Sequence, residues 1–272
     1  MIRRPAVAGM FYPSDGNDLE RMVSSFISGS ERTPNDTVTG LVSPHAGYVY
    51  SGAVAGAAYA TAPDGVRNVV IVAPPHRYPV QGASVFDGEA YSTPLGDAPV
   101  SGEIVSALLQ GGLSFQPRAH EGEHSAEVQV PFVQVRWPGA EIAVVLQGSS
   151  GAGFSAELGG LLARVLEGFE RPLVIASSDL SHYHSLKVAR EKDSRIIEAF
   201  LSGDAGRMEK AASEGGEACG IGPILTLMNY AEARGDTVFE KIAWSTSAEA
   251  SGDSSSVVGY FAGCCRREGS GK

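Results

Sequence analysis

Histidine and cysteine side chains stand in this sequence at points where a folded chain would gather them. Four apolar runs end in polar or unusual residues. Val38–Ser43 leads into Pro44–His45–Ala46–Gly47, Asn68–Ala73 into Pro74–Pro75–His76, Glu141–Leu146 into Gln147–Gly148–Ser149, and Leu173–Ser177 into Ser178–Asp179. His182 and His184 follow shortly after the last of these. Read as strands of an open α/β sheet, the runs place His45, His76 and Asp179–x–x–His182 at three carboxyl ends, where such sheets bind ligands. Cys219 stands before Gly220 and a helical pattern starting near Pro223, so free N–H groups and the helix dipole would stabilise its thiolate. Imidazoles and a thiolate together suit Fe(II), Cu(I) or Zn(II). Each residue also has an ordinary explanation. A loop histidine can simply hydrogen-bond a backbone carbonyl, and a lone cysteine can fill a core as a small hydrophobe. Tyr48, Tyr50, Tyr78 and Tyr91 are further candidates for pocket walls, while His184 reads as a structural or surface residue.

One local motif competes with this reading. His120–Glu121–Gly122–Glu123–His124 satisfies both the H-E-x-x-H pattern of zinc peptidases and its inverse. Both patterns need a helix, because only there do histidines four residues apart share a face. Pro117 before the motif, Gly122 inside it and Pro131 after it all oppose a helix of useful length. That runs against a zinc hydrolase built on His120 and His124. His124, with Glu127, is expected instead at the pocket, near the start of a short helix.

The elements that must position these residues are legible as alternating patterns. Strands are expected at the four runs above and at Val257–Ala262, Ala83–Phe86 (ending in an Asp87–Gly88 turn) and Thr237–Ser247. Helical patterns fall at about Leu19–Ile27, Ser51–Ala62, Glu103–Leu109, Phe154–Leu166, Val188–Leu201 and Pro223–Ala233. Continuous apolar strands alternating with helices imply an α/β fold: a single three-layer α/β/α domain with a central, mostly parallel mixed sheet. Gly52 and Gly56 sit one helical turn apart, a spacing that suits close helix packing in a core. Without a boundary signal, residues 1–272 read as one domain, with about 266–272 as a disordered tail.

The chain has 272 residues, 43% of them hydrophobic and 19% charged, enough to bury a core without metal or disulfide staples. A metal here would therefore serve function rather than folding. The formal net charge of −10 disfavours nucleic-acid partners, which need a basic surface. Arg3–Arg4 and Arg266–Arg267 are the paired arginines, and both pairs read as solvated termini. Three cysteines, two of them adjacent, suggest a reducing cytoplasm. Pro5, Gly9 and Pro13 interrupt any signal-like start, and no apolar run reaches the ~18–20 residues of a membrane span.

Taken together, several separate stretches resemble the Memo family. These are Arg4–Pro13 (RPAVAGMFYP), Ser43–Tyr48 (SPHAGY), the Pro75–His76 turn, Glu123–Phe132 (EHSAEVQVPF), Ser177–His182 (SSDLSH) and Ala218–Gly220. They occur in order from the N-terminus to the Val257–Gly263 strand, so the resemblance spans essentially the whole chain. It implies a fold shared with class III extradiol ring-cleaving dioxygenases. It also implies a metal site whose ligands map onto His45, His76 and Cys219 and hold Fe(II) or copper, with zinc as a further possibility. Asp179, His182 and His124 map onto the pocket wall, with His182 in the place of the general base. Where ring-cleaving enzymes use two histidines and a carboxylate, this chain has Cys219 in the third place. The expected function is thus a metal-dependent redox or oxygenase-type enzyme acting on an unidentified small molecule or peptide. Prokaryotic members are called the B component of an AmmeMemoRadiSam system, which implies AMMECR-type and radical SAM neighbours. Animal members are described as phosphotyrosine-motif adaptors, so a non-catalytic binding module is the second reading.

Overall fold

The computed structural model describes residues 1–268. Strands run over β1 (Ile2–Arg3), β2 (Val38–Ser43), β3 (Asn68–Ala73), β4 (Ala83–Val85), β5 (Ala90–Thr93), β6 (Gly96–Pro99), β7 (Glu141–Gln147), β8 (Leu173–Ser177), β9 (Asp179–His184), β10 (Val238–Thr246) and β11 (Val257–Arg266). Helices are α1 (Gly16–Ser28), α2 (Tyr48–Thr61), α3 (Gly102–Gln110), α4 (Pro117–Glu121), α5 (Val130–Arg136), α6 (Ala152–Val165), α7 (Leu186–Leu201), α8 (Ala205–Ser213), α9 (Ile221–Ala233) and α10 (Ala248–Ser251).

The main sheet runs β10-β11-β2-β8-β3-β7-β4, with β9 also paired to β11. Its four central strands, β2, β8, β3 and β7, are parallel, and these are the four runs that end in candidate site residues. The flanks are antiparallel: β4 on β7, and β11 on β2, β9 and β10. The sheet is therefore mixed, and parallel only at its centre. A small second sheet, β1-β5-β6, lies apart from it.

Alternation along the strands explains why their apolar runs are continuous. Val69 and Ile71 of β3 join one core cluster, beneath α1, α2 and α5, while Val70 and Val72 join another, beneath α3, α6, α7 and α9. A strand covered on both faces has no polar side to offer. On the first face α2 crosses α1 closely: a Cβ at Gly52 would lie 2.3 Å from the Phe26 ring, and one at Gly56 2.5 Å from the Phe26 backbone. That confirms the packing role expected for the two glycines. No helix among the described residues is long and apolar enough to cross a membrane.

One arginine of each terminal pair departs from expectation. Arg3 is buried, and Arg266, placed by the sequence reading at the start of a tail, instead closes β11 and bonds Glu240 Oε1 at 2.6–2.8 Å. Arg267 N–H then donates to the Thr37 carbonyl at 3.1 Å, and the rest of the expected tail from residue 269 lies outside the described residues.

Candidate metal centre

The carboxyl ends of β2, β3 and β8 and the loop before α9 meet in one place. Donor atoms of His45, His76 and Cys219 all lie within 4.8 Å of one another. His45 Nε2 faces Cys219 Sγ at 3.2 Å. The rings of His45, His76 and His124 cluster with centroid separations of 5.2, 5.7 and 4.8 Å. Burial, together with the neighbouring His76 and His124 rings, pushes His45 well below the usual imidazole range. His124 is lowered to about 4, first by burial, with Glu123 opposing and His76 and Arg77 reinforcing. Its Nδ1 is buried 3.3 Å from Glu123 Oε1 but without hydrogen-bond geometry to it, and Phe11 packs edge-on against its ring at 5.0 Å. Imidazoles at His45 and His124 that burial keeps unprotonated, set beside a thiol, are what a transition-metal ion requires of its pocket, so the residues fit such an ion.

Each donor is held by neighbours that face away from the shared space. His45 N donates to Asp179 Oδ1 at 2.7 Å, and His45 Nδ1 meets Ser177 Oγ at 2.9 Å. Glu123 Oε2 accepts the His76 and Arg77 backbone N–H groups, and its Oε1 accepts those of His124 and Ser125 at 2.9 and 3.0 Å. His76 Nδ1 also faces Glu123 Oε1, at 3.2 Å. Burial alone would raise the Glu123 carboxyl, but the His76 ring and the backbone donors outweigh it and hold the group well below its ordinary value. With both oxygens already occupied, Glu123 frames the pocket rather than completing a second His76–Glu123–His124 metal group.

Cys219 is fixed through its main chain: its N–H donates to the Asp179 carbonyl at 3.1 Å, and Gly220 N–H to Ser178 Oγ at 2.9 Å. The sequence reading had the helix terminus stabilise this thiolate. Burial and the nearby Asp179 carboxyl instead push the thiol up, against favourable contacts to Sγ from the Asp179 N–H at 3.3 Å and the Ser178 hydroxyl at 4.0 Å. Burial outweighs a helix dipole here because the sulfur is enclosed; a cation, not the dipole, must supply the compensating charge.

Asp179 and His182 follow β8 as expected and belong to a further strand, β9. The Asp179 carboxyl, raised to about 7 chiefly by burial, accepts from the backbone of His45 and Ala46. It therefore pins the His45 loop. His182 is half-buried, and burial lowers it; its ring lies close enough to His76 and His45 for their charges to disfavour one another. His184, as expected, has a structural contact, with Glu217 Oε2 at 2.8 Å.

The H-E-x-x-H stretch is split. α4 stops at Glu121, so His120 and His124 share no helical face. His120 is buried elsewhere, its Nε2 at 2.9 Å from Ser84 Oγ and its Nδ1 at 3.1 Å from Tyr91 OH, between Phe86 and Phe115. No candidate metal group among the described residues includes it. Of the four tyrosines, Tyr48 and Tyr91 are core residues and Tyr50 and Tyr78 are exposed.

Sequence reasoning singled out Glu127 beside the pocket but missed the rest of the frame beneath it. Glu123, Ser125, Glu127 and Gln129, at alternate positions, are all buried. Glu127 receives the Arg3 guanidinium and the Tyr12 hydroxyl, along with the Ala6 and Val7 N–H groups at 2.8 and 3.0 Å. Arg3 further donates to the His120 and Glu123 carbonyls at 3.0 and 2.5 Å. One ion pair thus straps the N-terminal segment over the frame and sets Phe11 against His124. The period-two spacing of polar residues was the available signal.

The profile of the Memo-like protein family matches residues 3–264. The chain belongs to the Memo family. A MEMO1 family protein of Methanosarcina acetivorans is 36% identical over 265 residues, covering 96% of this chain and 98% of that protein. Similar proteins from Thermoplasma acidophilum and Methanopyrus kandleri are 36% and 35% identical, covering 96% and 98% of this chain and 97% and 100% of their own lengths. Among solved structures, an uncharacterized protein of Escherichia coli K12 superposes with a TM-score of 0.52 at 13% identity, covering 96% of this chain and 98% of its own. That likeness concerns the fold alone. The Memo family is of the class III extradiol dioxygenase-like fold, which accords with the helix-flanked mixed sheet.

Proposed function

We propose that this Memo-family protein holds one iron or copper ion through His45 Nε2, the His76 ring and Cys219 Sγ, and uses it in oxygenase-type redox chemistry. The convergence of these three donors within 4.8 Å carries the reading, since His45 and Cys219 are 174 positions apart. A bound iron or copper ion would supply electron transfer and Lewis acidity, which zinc could supply only in part. The chain's own residues do the rest. Asp179 fixes the His45 loop through its N–H. His182, held below the ordinary imidazole value, is unprotonated at neutral pH. One of its ring nitrogens takes the proton of a substrate hydroxyl.

Anaerobic metal analysis of untagged protein, followed by an oxygen-uptake screen, tests this. One iron or copper per chain is expected, and His182→Ala should keep the metal while turnover drops by ~10²–10⁴-fold. Iron- and copper-loaded proteins that are both inert to oxygen, reductants and phenols would remove the enzymatic reading. A second reading, a binding module, draws on exposed Met10, Val49, Tyr50, Tyr78 and Tyr183, which adjoin the site-bearing loops. It predicts ligand affinity that survives metal removal.

A further inference from the structure

We infer that the segment from Glu123 to Gln129 sets the ring tautomers of His45 and His76, with Ser177 as the residue that decides His45; the role assigned to those rings rests on the metal reading above. The donors and acceptors around Ser177 fix where its proton goes. A serine hydroxyl has one proton to give and two lone pairs. Ser177 Oγ lies 2.7 Å from the Ser125 carbonyl, which can only accept, so the serine proton goes there. Gln129 Nε2 lies 2.9 Å from the same oxygen. That amide cannot be flipped: its Nε2 also reaches the Pro44 carbonyl at 2.9 Å, while its Oε1 accepts from Tyr59 OH at 3.0 Å. Gln129 therefore donates to Ser177 and fills one lone pair. The remaining neighbour is His45 Nδ1 at 2.9 Å, and the one role left to it is donor. His45 accordingly carries its proton on Nδ1, and Nε2, facing Cys219, presents a lone pair.

His76 is fixed by the same segment. Its Nδ1 faces Glu123, whose two oxygens already accept four backbone N–H groups and so act as acceptors, and Nδ1 again bears the proton. The two halves are one chain of hydrogen bonds: His76 to Glu123, Ser125 N–H to Glu123, Ser177 to the Ser125 carbonyl, and His45 to Ser177. Ser177, Ser125 and Gln129 are essentially inaccessible to solvent, so water does not substitute for a missing partner. Both imidazoles are thus preset as Nε2 acceptors before any ligand arrives. Outer partners that fix a ring in this way commonly contribute ~10–100-fold in metal affinity.

Long-range ¹H–¹⁵N spectra of ¹⁵N-histidine-labelled, metal-free protein at neutral pH read the tautomers directly. His45 and His76 should both show a protonated Nδ1 and an unprotonated Nε2. In Ser177→Ala, His45 should become a mixture of tautomers while His76 is unchanged, and affinity for Co(II) should fall by ~10–100-fold. A protonated Nε2 on His45 in the wild type would overturn the inference, and that spectrum decides even if the variant fails to fold. So would a Ser177→Ala protein with His45 and Co(II) affinity unaltered. Because the wild-type spectrum involves no metal, an inert metal-loaded protein would count against the proposed function and leave this result standing.

Discussion

Two histidines four residues apart meet opposite fates here. His120 is enclosed by Phe86 and Phe115, and both its ring nitrogens are engaged, by Ser84 and Tyr91. Around the pocket, His45 and His76 each spend Nδ1 on an outer partner, and His124 keeps a buried Nδ1 with none. His120, His45 and His124 are largely enclosed, while His76 is partly exposed, and burial disfavours the charged form of the three enclosed rings. What separates structure from chemistry is the nitrogen left over. A motif match sees neither burial nor partners, so the H-E-x-x-H pattern pairs a core histidine with a pocket one.

The largest effect should come from the residue that most distinguishes the pocket. Cys219→Ala removes a donor outright, and metal affinity should drop by more than the ~10–100-fold lost with an outer partner. Equilibrium dialysis against iron or copper measures it. Full occupancy in the variant would take the thiol out of the site and reduce the pocket to a histidine cluster.

Next in size is the frame that both regions share. Arg3 donates to the His120 carbonyl and to Glu127, so a single buried pair supports the core histidine and the pocket floor alike. Removing one partner leaves an uncompensated charge, and Glu127→Ala should destabilise the fold by about 3–5 kcal/mol in urea melts. A loss below ~1 kcal/mol would show that the N-terminal segment is a surface strap after all.

How much of this could be read from sequence follows from the same contrast. The parallel strands β2, β3, β7 and β8 were visible because both their faces are covered, which makes their sequences continuously apolar. His45, His76 and Cys219 could be singled out because each follows or precedes such an element. The short strands β5 and β6 carry no comparable run, since Ala90–Thr93 and Gly96–Pro99 hold small and polar residues. β9 was hidden because its pattern, Asp179–His184, is polar despite pairing with β11. The 123–129 frame was hidden for a related reason. Alternate buried polar residues look like a solvated segment until their partners, among them Arg3 and Tyr12, are seen across the chain. Hydrogen-bond partners more than a hundred positions away leave no local mark on either sequence.

A third test separates the two histidine environments by removing the core one. His120→Ala leaves Ser84 and Tyr91 without their shared partner and should destabilise the protein by about 1–3 kcal/mol. Metal affinity should stay within about twofold, because His120 belongs to no donor group. A loss of metal comparable to that in Cys219→Ala would restore the hydrolase reading of the motif.

The smallest effect concerns pH, and its sign can be worked out. Burial, aided by the Arg3 charge and opposed by Glu123, lowers His120 to about 3 in the folded protein. In the unfolded chain the same ring titrates near ~6.5. Between these values the unfolded state binds a proton that the folded state does not, so stability rises with pH and falls on acidification. The slope from this one group is at most ~1.4 kcal/mol per pH unit, and it vanishes above ~6.5. His120→Gln removes the titrating group and leaves the pocket histidines in place, so their contributions cancel in the comparison. Urea melts of both metal-free proteins should therefore differ by a constant amount above pH ~6.5. Below it the wild type should lose up to ~1.4 kcal/mol more than the variant for each unit of acidification. Parallel curves across that range would mean that His120 takes up a proton in the fold as readily as outside it. The two regions would then no longer differ in kind, because the Ser84–His120–Tyr91 contacts would tolerate a charge that the dry core is expected to reject.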